Sequence, residues 1–199
     1  MSTSVWERAL GADVESLHPN LRAYFAAPPA GSVGRGTGTY DVAGSRHRLL
    51  RPLLAFLATR SILFPEYGTG IPFTVRNDSR VDGRLRGRRT FAFPGRERVM
   101  IDEMRIVEGR VHDFLGGRGG LEVELIAGVD DAALAVTSRR LWLHLRSLRV
   151  PLPRVATVRL REAWRDGSQH VDVTLSSPLL GVWFEYRGSF DYRYEQSIG

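Results

Sequence analysis

The hydrophobic period changes from helical to alternating near Ile71, and this change sets the fold. Beyond it, apolar side chains recur at every second position in about nine or ten segments, which end at turn-forming pairs such as Asp82-Gly83 and Asp166-Gly167. Sequential strands with short links form an antiparallel meander. A meander of this length closes on itself because closure removes exposed edge strands. The sequence therefore predicts a closed or nearly closed, calycin-like β-barrel.

The strands of this barrel are predicted from alternation alone. They are expected at residues 71–75, 85–93, 99–107, 110–115, 121–126, 134–136, 141–148, 155–164, 170–175 and 182–194.

The residues before the meander carry helical signals. Residues 5–25 have apolar positions at helical spacing, with a break at Pro19, and predict two short helices. A glycine-rich stretch follows at 31–38. Residues 45–64 are apolar around most of the helical circumference, which is typical of a buried helix.

These signals predict one α+β, mainly β domain over residues 1–199. Its mostly helical part, residues 1–66, is expected to pack on or cap the meander of residues 67–199.

Composition excludes several kinds of chemistry. There is no cysteine, and all 28 basic residues are arginine. A thiolate nucleophile, a Schiff-base lysine and a phosphate-loop lysine are therefore absent. The five histidines show no paired spacing of the kind that binds zinc. We predict no metal and no cofactor.

The formal charge of +6 and the pI of about 10.4 raise the question of nucleic acid or an anionic membrane as partner. Arginine without lysine fits a codon bias toward GC-rich codons, which also raises the pI. The arginines at 84–89 and 139–140 lack the interleaved aromatics of single-strand binders and are interpreted as solvated strand faces. No signal peptide or membrane-spanning stretch is recognisable. We predict no nucleic-acid partner, no membrane insertion and a cytoplasmic, bacterial protein; whether it forms a homodimer is left open.

Two carboxylates fall on apolar strand faces. Glu162 is in phase with Leu160 and Trp164, and Asp102 is in phase with Met100. Such a group is either paired with an arginine, which the abundance of arginine favours, or has a raised pKa suited to acid–base work.

Other candidates come from the same alternation. Tyr186 shares a face with Phe184 and Phe190, and His144 shares a face with Trp142. His144 is expected to line a polar lumen or to face solvent. The predicted catalytic residues are Glu162, Tyr186, Asp102 and His144, and the predicted substrate-contacting residues are Tyr40, Phe73, Trp142, Trp164 and Phe184.

The order of several short segments resembles a known family. The segments are Leu-Gly-Ala-Asp-Val-Glu-Ser-Leu at 10–17, Pro-Asn-Leu-Arg at 19–22, Ile-Pro-Phe-Thr-Val at 71–75, Arg-Leu-Trp-Leu-His-Leu-Arg at 140–146, Val-Pro-Leu-Pro-Arg at 150–154, Glu-Ala-Trp-Arg-Asp-Gly at 162–167, Pro-Leu-Leu-Gly at 178–181 and Tyr-Arg-Gly at 186–188. Together they resemble the family of the domain of unknown function 4166. Its members occur alone or behind a Rossmann-type oxidoreductase domain. The resemblance implies the architecture and assigns no catalytic residues.

Two functions from different classes suit this chain. The first is a barrel that encloses a lipophilic small molecule and acts as a cofactor-independent cyclase or isomerase, with bacterial secondary metabolism of the polyketide type as its setting. The second is a non-catalytic carrier of lipids or other hydrophobic ligands, or an accessory domain of an oxidoreductase. Chemical analysis of the ligand before and after incubation with the protein separates the two.

Overall fold

Antiparallel strands make up most of the protein in the computed structural model, which describes residues 3–29, 31–80, 82–117, 120–145, 148–153 and 156–196. The strands are β1 (Ser32–Gly44), β2 (Tyr67–Ser79), β3 (Leu85–Phe93), β4 (Arg96–Val107), β5 (Arg110–Leu115), β6 (Leu121–Asp130), β7 (Ala133–Leu145), β8 (Leu148–Leu152), β9 (Thr157–Arg165), β10 (Ser168–Ser177) and β11 (Gly181–Gln196). The helices are α1 (Val5–Leu10), α2 (Pro19–Phe25) and α3 (Arg51–Ala58), with 3₁₀ turns at Gly11–Ser16 and Arg48–Leu50.

Ten strands close into a barrel. Each pairs with its neighbour along the chain, β7 pairs with β9 across the β8 insertion, and β11 pairs with β1 to complete the ring. β8 pairs with the second half of β7 and lies outside the ring. The predicted mainly β fold with a closed antiparallel meander is confirmed. Arg146, Arg154 and Val155, which belong to the predicted strands and to the quoted segments, lie outside the described residues.

Two-residue turns explain why the meander folds with short links. β4 and β5 are joined by Glu108 and Gly109, and β9 and β10 by Asp166 and Gly167. All four residues have positive φ, between 50° and 77°. This conformation matches the twist of the two paired strands, and it is the one that Asp-Gly and similar pairs favour.

The glycine-rich stretch before Tyr40 forms β1, so the N-terminal part is not mostly helical. Its alternate glycines face inward, and they leave the space that aromatic side chains of β11 fill. A Cβ atom on Gly36 would lie 2.6 Å from Val75 Cγ1 and 3.0 Å from the ring of Phe190. The strand forms despite its low propensity because tertiary packing replaces the missing side chains.

One end of the barrel is covered by α1 and α2, and we call it the α2 end. A capping box starts α1: the Ser4 hydroxyl accepts from the Glu7 amide, and the Glu7 carboxylate accepts from the Ser4 amide. α1 packs on β4, β5 and β6, while α2 packs on β9.

The opposite end is covered by α3 and the segment after it, and we call it the α3 end. Leu54 and Phe64 are fully buried there, and the Ile101 amide of β4 donates to the Ser61 carbonyl over 2.9 Å. The prediction of a buried helix over residues 45–64 is corrected: the helix is short, and Leu53 and Phe56 face solvent. Among the described residues, no helix has the length and hydropathy required to span a bilayer.

Aromatic side chains fill the α3-proximal half of the barrel. Tyr40 and Phe73 stack with ring centres 3.8 Å apart, and Phe64 contacts Phe91 and Phe184 edge-on or tilted. Ring pairs in such geometries add to the stabilisation from buried area. The core in this half of the barrel is tightly packed, and the buried polar side chains of the barrel lie next to it.

Candidate functional site

Glu162 is buried inside the barrel, near the end of β9 that α2 covers. Its side chain is 7% exposed, and the amide Nε2 of Gln169 on β10 donates to its carboxylate. Burial raises the pKa of Glu162 to about 7, although the Gln169 hydrogen bond and the positive charge of Arg89 both lower it. The partner is a neutral amide rather than an arginine. Of the two alternatives for this carboxylate, the arginine pair is therefore not the one that the structure contains.

Asp102, on β4, also points into the barrel but has the opposite environment. Arg89 of β3 donates to its carboxylate in an ion pair. Gly87 stands opposite in the strand register, and a Cβ atom there would lie 2.7 Å from the Asp102 carboxylate. The arginine-paired alternative therefore holds for Asp102. Burial opposes the charge of Arg89, but Asp102 raises the pKa of the guanidinium well above its ordinary value.

A third interior carboxyl, Asp113 on β5, is one that sequence reasoning missed. Burial, followed by the nearby charge of Asp102, raises its pKa well above the ordinary value. Its buried Oδ1 has no hydrogen-bond partner within the described part of the chain. Alternation already placed Asp113 in phase with Val111 and Leu115, so the signal was present.

The interpretation of the arginines at 84–89 as a solvated strand face is wrong for Arg89. Its side chain lies inside the barrel, where it pairs with Asp102. Its phase with Phe91 and Phe93 identifies it as inward-facing. The neighbouring Arg86 and Arg88 are exposed, as expected.

Phenol groups surround these carboxyls. Burial raises the pKa of Tyr186 to about 12 and that of Tyr40 well above its ordinary value, so both are neutral hydrogen-bonding groups at physiological pH. Phe73 and Phe184 pack in the same aromatic core. Four predicted residues on β1, β2 and β11 thus lie together inside the barrel.

A cleft of about 590 Å³ opens at the α2 end. Its walls come from α1, α2 and the ends of β2, β3 and β11, and they include Trp6, Tyr24, Leu85, Tyr192 and Tyr194. The lining is mostly apolar with phenol groups, as in sites for small lipophilic ligands.

Tyr24 lies between this cleft and the barrel interior. Its hydroxyl accepts from the Asn77 side-chain amide over 3.3 Å, and its ring contacts the ring of Tyr192 at 4.4 Å. Burial and then the negative charge of Glu162 raise the pKa of Tyr24 well above its ordinary value. Glu162 itself does not line the cleft.

Trp164 marks the same end of the barrel. It is paired with Gln169 in the strand register, and its ring stacks on His18, at the start of α2, with centres 5.9 Å apart. The predicted substrate-contacting Trp164 thus lies beside the Glu162–Gln169 pair.

His144 and Trp142 are not part of this interior group. Both lie on the outer face of the barrel, where the Glu122 carboxylate binds His144 Nε2 at 2.5 Å and His112 Nδ1 at 2.6 Å. His144, predicted as a catalytic residue that lines a polar lumen or faces solvent, therefore lies apart from Glu162, Asp102 and Tyr186. His112 is buried beside the ring of Trp142, with the two ring centres 5.7 Å apart.

Arg149 of β8 closes this outer cluster. Its Nε and a terminal nitrogen donate to the two Glu122 oxygens over 2.9 and 2.7 Å, and its guanidinium lies 3.9 Å from the Trp142 ring centre. Burial opposes ionisation of Glu122, but the hydrogen bonds from Arg149 and the two histidines outweigh it and lower the pKa to about 2. With both oxygens engaged by Arg149, the group is built as an ion-pair network. Within the described ranges, no three histidine or acidic side chains are arranged to hold a metal ion.

Comparisons with known proteins agree with the architecture. The sequence profile described as "Domain of unknown function (DUF4166)" matches residues 17–190, which confirms the resemblance. The chain is 28% identical over 208 aligned positions to the uncharacterized protein YndH of Bacillus subtilis (strain 168), across 98% of this chain and the full length of that relative. No solved structure shows significant similarity to the chain.

Proposed function

The chain belongs to the family of the domain of unknown function DUF4166, and on that premise we propose that the α2 end of its barrel takes up a lipophilic carbonyl compound. Glu162 acts there as the acid–base group of a cofactor-independent isomerisation or cyclisation. The observation that carries this proposal is the buried Glu162 carboxyl, whose pKa of about 7 lies close to physiological pH.

A pKa near the working pH is the property that general acid–base catalysis needs. A carboxyl with a pKa near 7 is a stronger base than one at the ordinary value of 4.5, and at pH 7 it is half protonated, so it can both take and return a proton. Burial supplies this change and also keeps water from competing for the proton.

The proposed step needs no outside proton donor, because Glu162 takes one proton from the substrate and returns it to the substrate. The Glu162 carboxylate takes a proton from the carbon next to a carbonyl, which leaves an enolate and a neutral Glu162. In isomerisation, Glu162 returns the proton to a different carbon. In cyclisation, the enolate carbon bonds to a second carbonyl carbon, and the alkoxide that forms takes the proton. Poly-β-carbonyl chains of the polyketide type suit this chemistry because two flanking carbonyls acidify the C–H bond.

The neighbours of Glu162 are suited to hold an enolate oxygen. The Gln169 amide already points at the carboxyl, and the neutral phenols of Tyr24, Tyr40 and Tyr186 are hydrogen-bond donors. Arg89 contributes positive charge from across the barrel. Fixed donors of this kind stabilise charge that develops during the reaction.

Access runs through the cleft at the α2 end. α2 has seven residues, and Tyr24 is tied down by the Asn77 hydrogen bond and by the Tyr194 hydroxyl, which donates to the Tyr24 carbonyl over 3.2 Å. Leu21 and Phe25 anchor α2 in the core, whereas the Tyr24 ring borders the cleft. We propose that an apolar ligand enters the cleft and displaces the Tyr24 ring to reach Glu162.

The test is hydrogen exchange catalysed in D₂O. The protein is incubated with α-tetralone and with a long-chain methyl ketone, and deuterium uptake next to the carbonyl is followed by mass spectrometry. Wild type is expected to accelerate the uptake, and Glu162→Gln to slow it about 10²–10⁴-fold. The matched control is Glu103→Gln on the outer face of β4, with unchanged uptake. Uptake that survives Glu162→Gln within about threefold removes the proton-transfer role.

The second candidate is a carrier that holds a ligand in the cleft at the α2 end without chemistry, either alone or as the accessory domain of an oxidoreductase. The apolar and phenolic lining of the cleft favours it, since such walls retain lipophilic ligands without any reaction. Its signature is a rise in melting temperature with the ketones or with fatty acids and no deuterium uptake. If the ketones and fatty acids neither stabilise the protein nor exchange, both functions are wrong.

A further inference from the structure

The α3 end of the barrel exposes apolar side chains that the acid–base chemistry does not use. Leu49 and Leu179 each leave 94% of their surface in water. We call this region the α3 surface; its apolar members are Leu49, Leu53, Phe56, Leu179 and Leu180, and its basic members are Arg46, Arg48, Arg51 and Arg60.

These side chains form one surface. Leu49, Leu53 and Phe56 follow each other at intervals of four and three residues, which places them on the same side of α3 and its preceding 3₁₀ turn. The turn between β10 and β11, which carries Leu179, is adjacent: Nε2 of His47 lies 3.3 Å from the Val182 carbonyl oxygen. The guanidinium of Arg60 lies 5.0 Å from the Phe56 ring centre.

The charge of this region is one-sided. Residues 42–65 contain four arginines and no acidic residue, and residues 173–184 contain no arginine or acidic residue. Elsewhere on the barrel, arginines form ion pairs with carboxylates, for example Arg110 with Glu124 at 2.5 Å. At the α3 end, Glu66 is paired with Arg98 at 2.6 Å, and among the described residues the four arginines of the α3 surface have no acidic partner. The α3 surface therefore combines protruding leucines with positive charge.

We propose that the α3 surface binds peripherally to a bilayer that contains anionic phospholipids. The arginines meet the lipid phosphates, and the leucines and Phe56 enter the boundary between headgroups and acyl chains. A fluid bilayer accommodates separate protruding side chains, whereas a folded protein partner would need a matching pocket for each one.

A second copy of this chain fits the surface less well. A two-fold dimer places the same patch of both subunits face to face, and it would bring the four arginines of each subunit together without acidic partners. Nucleic acid would leave the leucines in water. Of the three partners, the anionic bilayer satisfies both the charge and the apolar area.

The experiment is co-sedimentation with vesicles. Wild type is expected to bind vesicles of phosphatidylcholine with about one-third phosphatidylglycerol, and to bind vesicles of pure phosphatidylcholine much less, with the difference reduced by salt. Arg48→Gln with Arg51→Gln is expected to weaken binding about 25-fold, which is about fivefold per arginine. Leu49→Gln with Leu179→Gln is expected to weaken it at least tenfold.

Matched controls separate the surface from the overall charge. Arg86→Gln with Arg88→Gln removes two exposed arginines on the outer face of β3, and Ile126→Gln removes an exposed apolar side chain on β6. Both are expected to bind like wild type, as all the substituted side chains are exposed and the fold is unaffected.

The proposal is overturned if wild type does not sediment with the anionic vesicles, or if the control pair weakens binding as much as the α3 pair. It is also overturned if sedimentation-velocity runs without lipid show a dimer that Leu49→Gln dissociates while vesicle binding is absent. The result does not depend on Glu162, so loss of vesicle binding and loss of deuterium exchange are separate failures.

Discussion

Glu122 and Glu162 are both buried glutamates, and they lie on opposite faces of the barrel wall, on the two strands that flank β7. Glu122 faces outward from β6 and receives hydrogen bonds from Arg149, His144 and His112. Glu162 faces inward from β9 and receives one hydrogen bond, from a neutral amide. The first has a pKa of about 2 and the second a pKa of about 7.

The difference shows that the depth of a carboxylate in the barrel and the donors around it together decide what it does. Burial raises the pKa of both groups. Where a guanidinium and two imidazoles compensate, the charge is permanent and the residue holds β5, β6, β7 and β8 together. Where a single amide compensates, the proton is exchangeable near neutral pH, and the residue is available for chemistry.

The largest effect is expected from Glu122→Gln, which removes the charge at the centre of the outer cluster. Arg149 and the imidazoles then lose their acceptor, and breaking a buried pair costs about 3–5 kcal/mol. We expect the lower figure because Arg149 is half exposed. Urea unfolding at pH 7 measures this loss. Glu103→Gln, which breaks a surface ion pair with Arg84, is the control and is expected to cost less than about 1 kcal/mol. An equal loss in both variants would show that the outer cluster stabilises the protein no more than a surface ion pair does.

The next effect has the opposite sign: Glu162→Gln is expected to stabilise the protein at pH 8. The folded protein keeps the proton on Glu162 up to about pH 7, whereas the unfolded chain releases it near pH 4.5. Glu162 therefore has no effect of this kind on the free energy of unfolding below pH 4.5. Between pH 4.5 and about 7 the free energy of unfolding falls, because the unfolded chain has released the proton and the folded protein has not. At 1.36 kcal/mol per pH unit, glutamine recovers up to about 3 kcal/mol at pH 8 and almost nothing at pH 4.

The same unfolding measurements, made over a range of pH, also test Glu122, whose contribution depends on pH in the opposite direction to that of Glu162. The contribution of Glu122 follows the usual carboxylate direction: it is present above about pH 4.5 and is lost as the pH falls toward 2. Wild-type stability should thus pass through a maximum between the two titrations. A Glu162→Gln variant whose free energy of unfolding parallels wild type from pH 4 to pH 8 would show that Glu162 titrates normally.

The sequence could predict which face of a strand carries each carboxylate, but it could not predict the partner of that carboxylate. Alternation correctly placed Glu162 and Asp102 on inward faces, because side-chain direction follows from the two-residue period of a strand. It could not choose between pairing and a raised pKa, since the partner is set by register. Trp164 lies opposite Gln169, and this alignment brings the amide of Gln169 to Glu162.

Other features were beyond the alternation pattern. His144 and Trp142 do share a face, as predicted, but alternation does not say which face is outside a barrel until the whole ring is known. β1 was missed because glycine disfavours strands, and its inward glycines are explained only by aromatic side chains on β11, more than 140 residues later.

A smaller effect is expected from Arg149→Lys, which keeps the charge of the outer cluster but loses its geometry. Lysine cannot donate to both Glu122 oxygens in parallel, and it stacks less well on the Trp142 ring. We expect a loss of about 1 kcal/mol in the free energy of unfolding at pH 7, well below that of Glu122→Gln. If the two losses match, the bidentate contact rather than the charge is what stabilises the cluster.

The smallest change in stability, and the sharpest test of the comparison, comes from Gln169→Leu. The amide of Gln169 is the one hydrogen-bond donor to Glu162 among the described residues, and it lowers the pKa of Glu162. Leucine has a similar volume and donates nothing, so the charged form of Glu162 loses its last direct partner. At pH 6 the carboxyl is largely protonated, and there the free energy of unfolding should change by less than about 1 kcal/mol, the net value of a typical hydrogen bond. The pKa should respond more strongly, since a hydrogen bond to a charged group is worth about 1.5–3 kcal/mol, or at least about one pH unit. Carbon-13 NMR of the labelled glutamate carboxyls measures this pKa directly, with Glu122 as the internal reference that does not move. A Glu162 pKa that stays at about 7, or falls toward that of Glu122, would mean that burial alone does not hold the proton on this carboxyl.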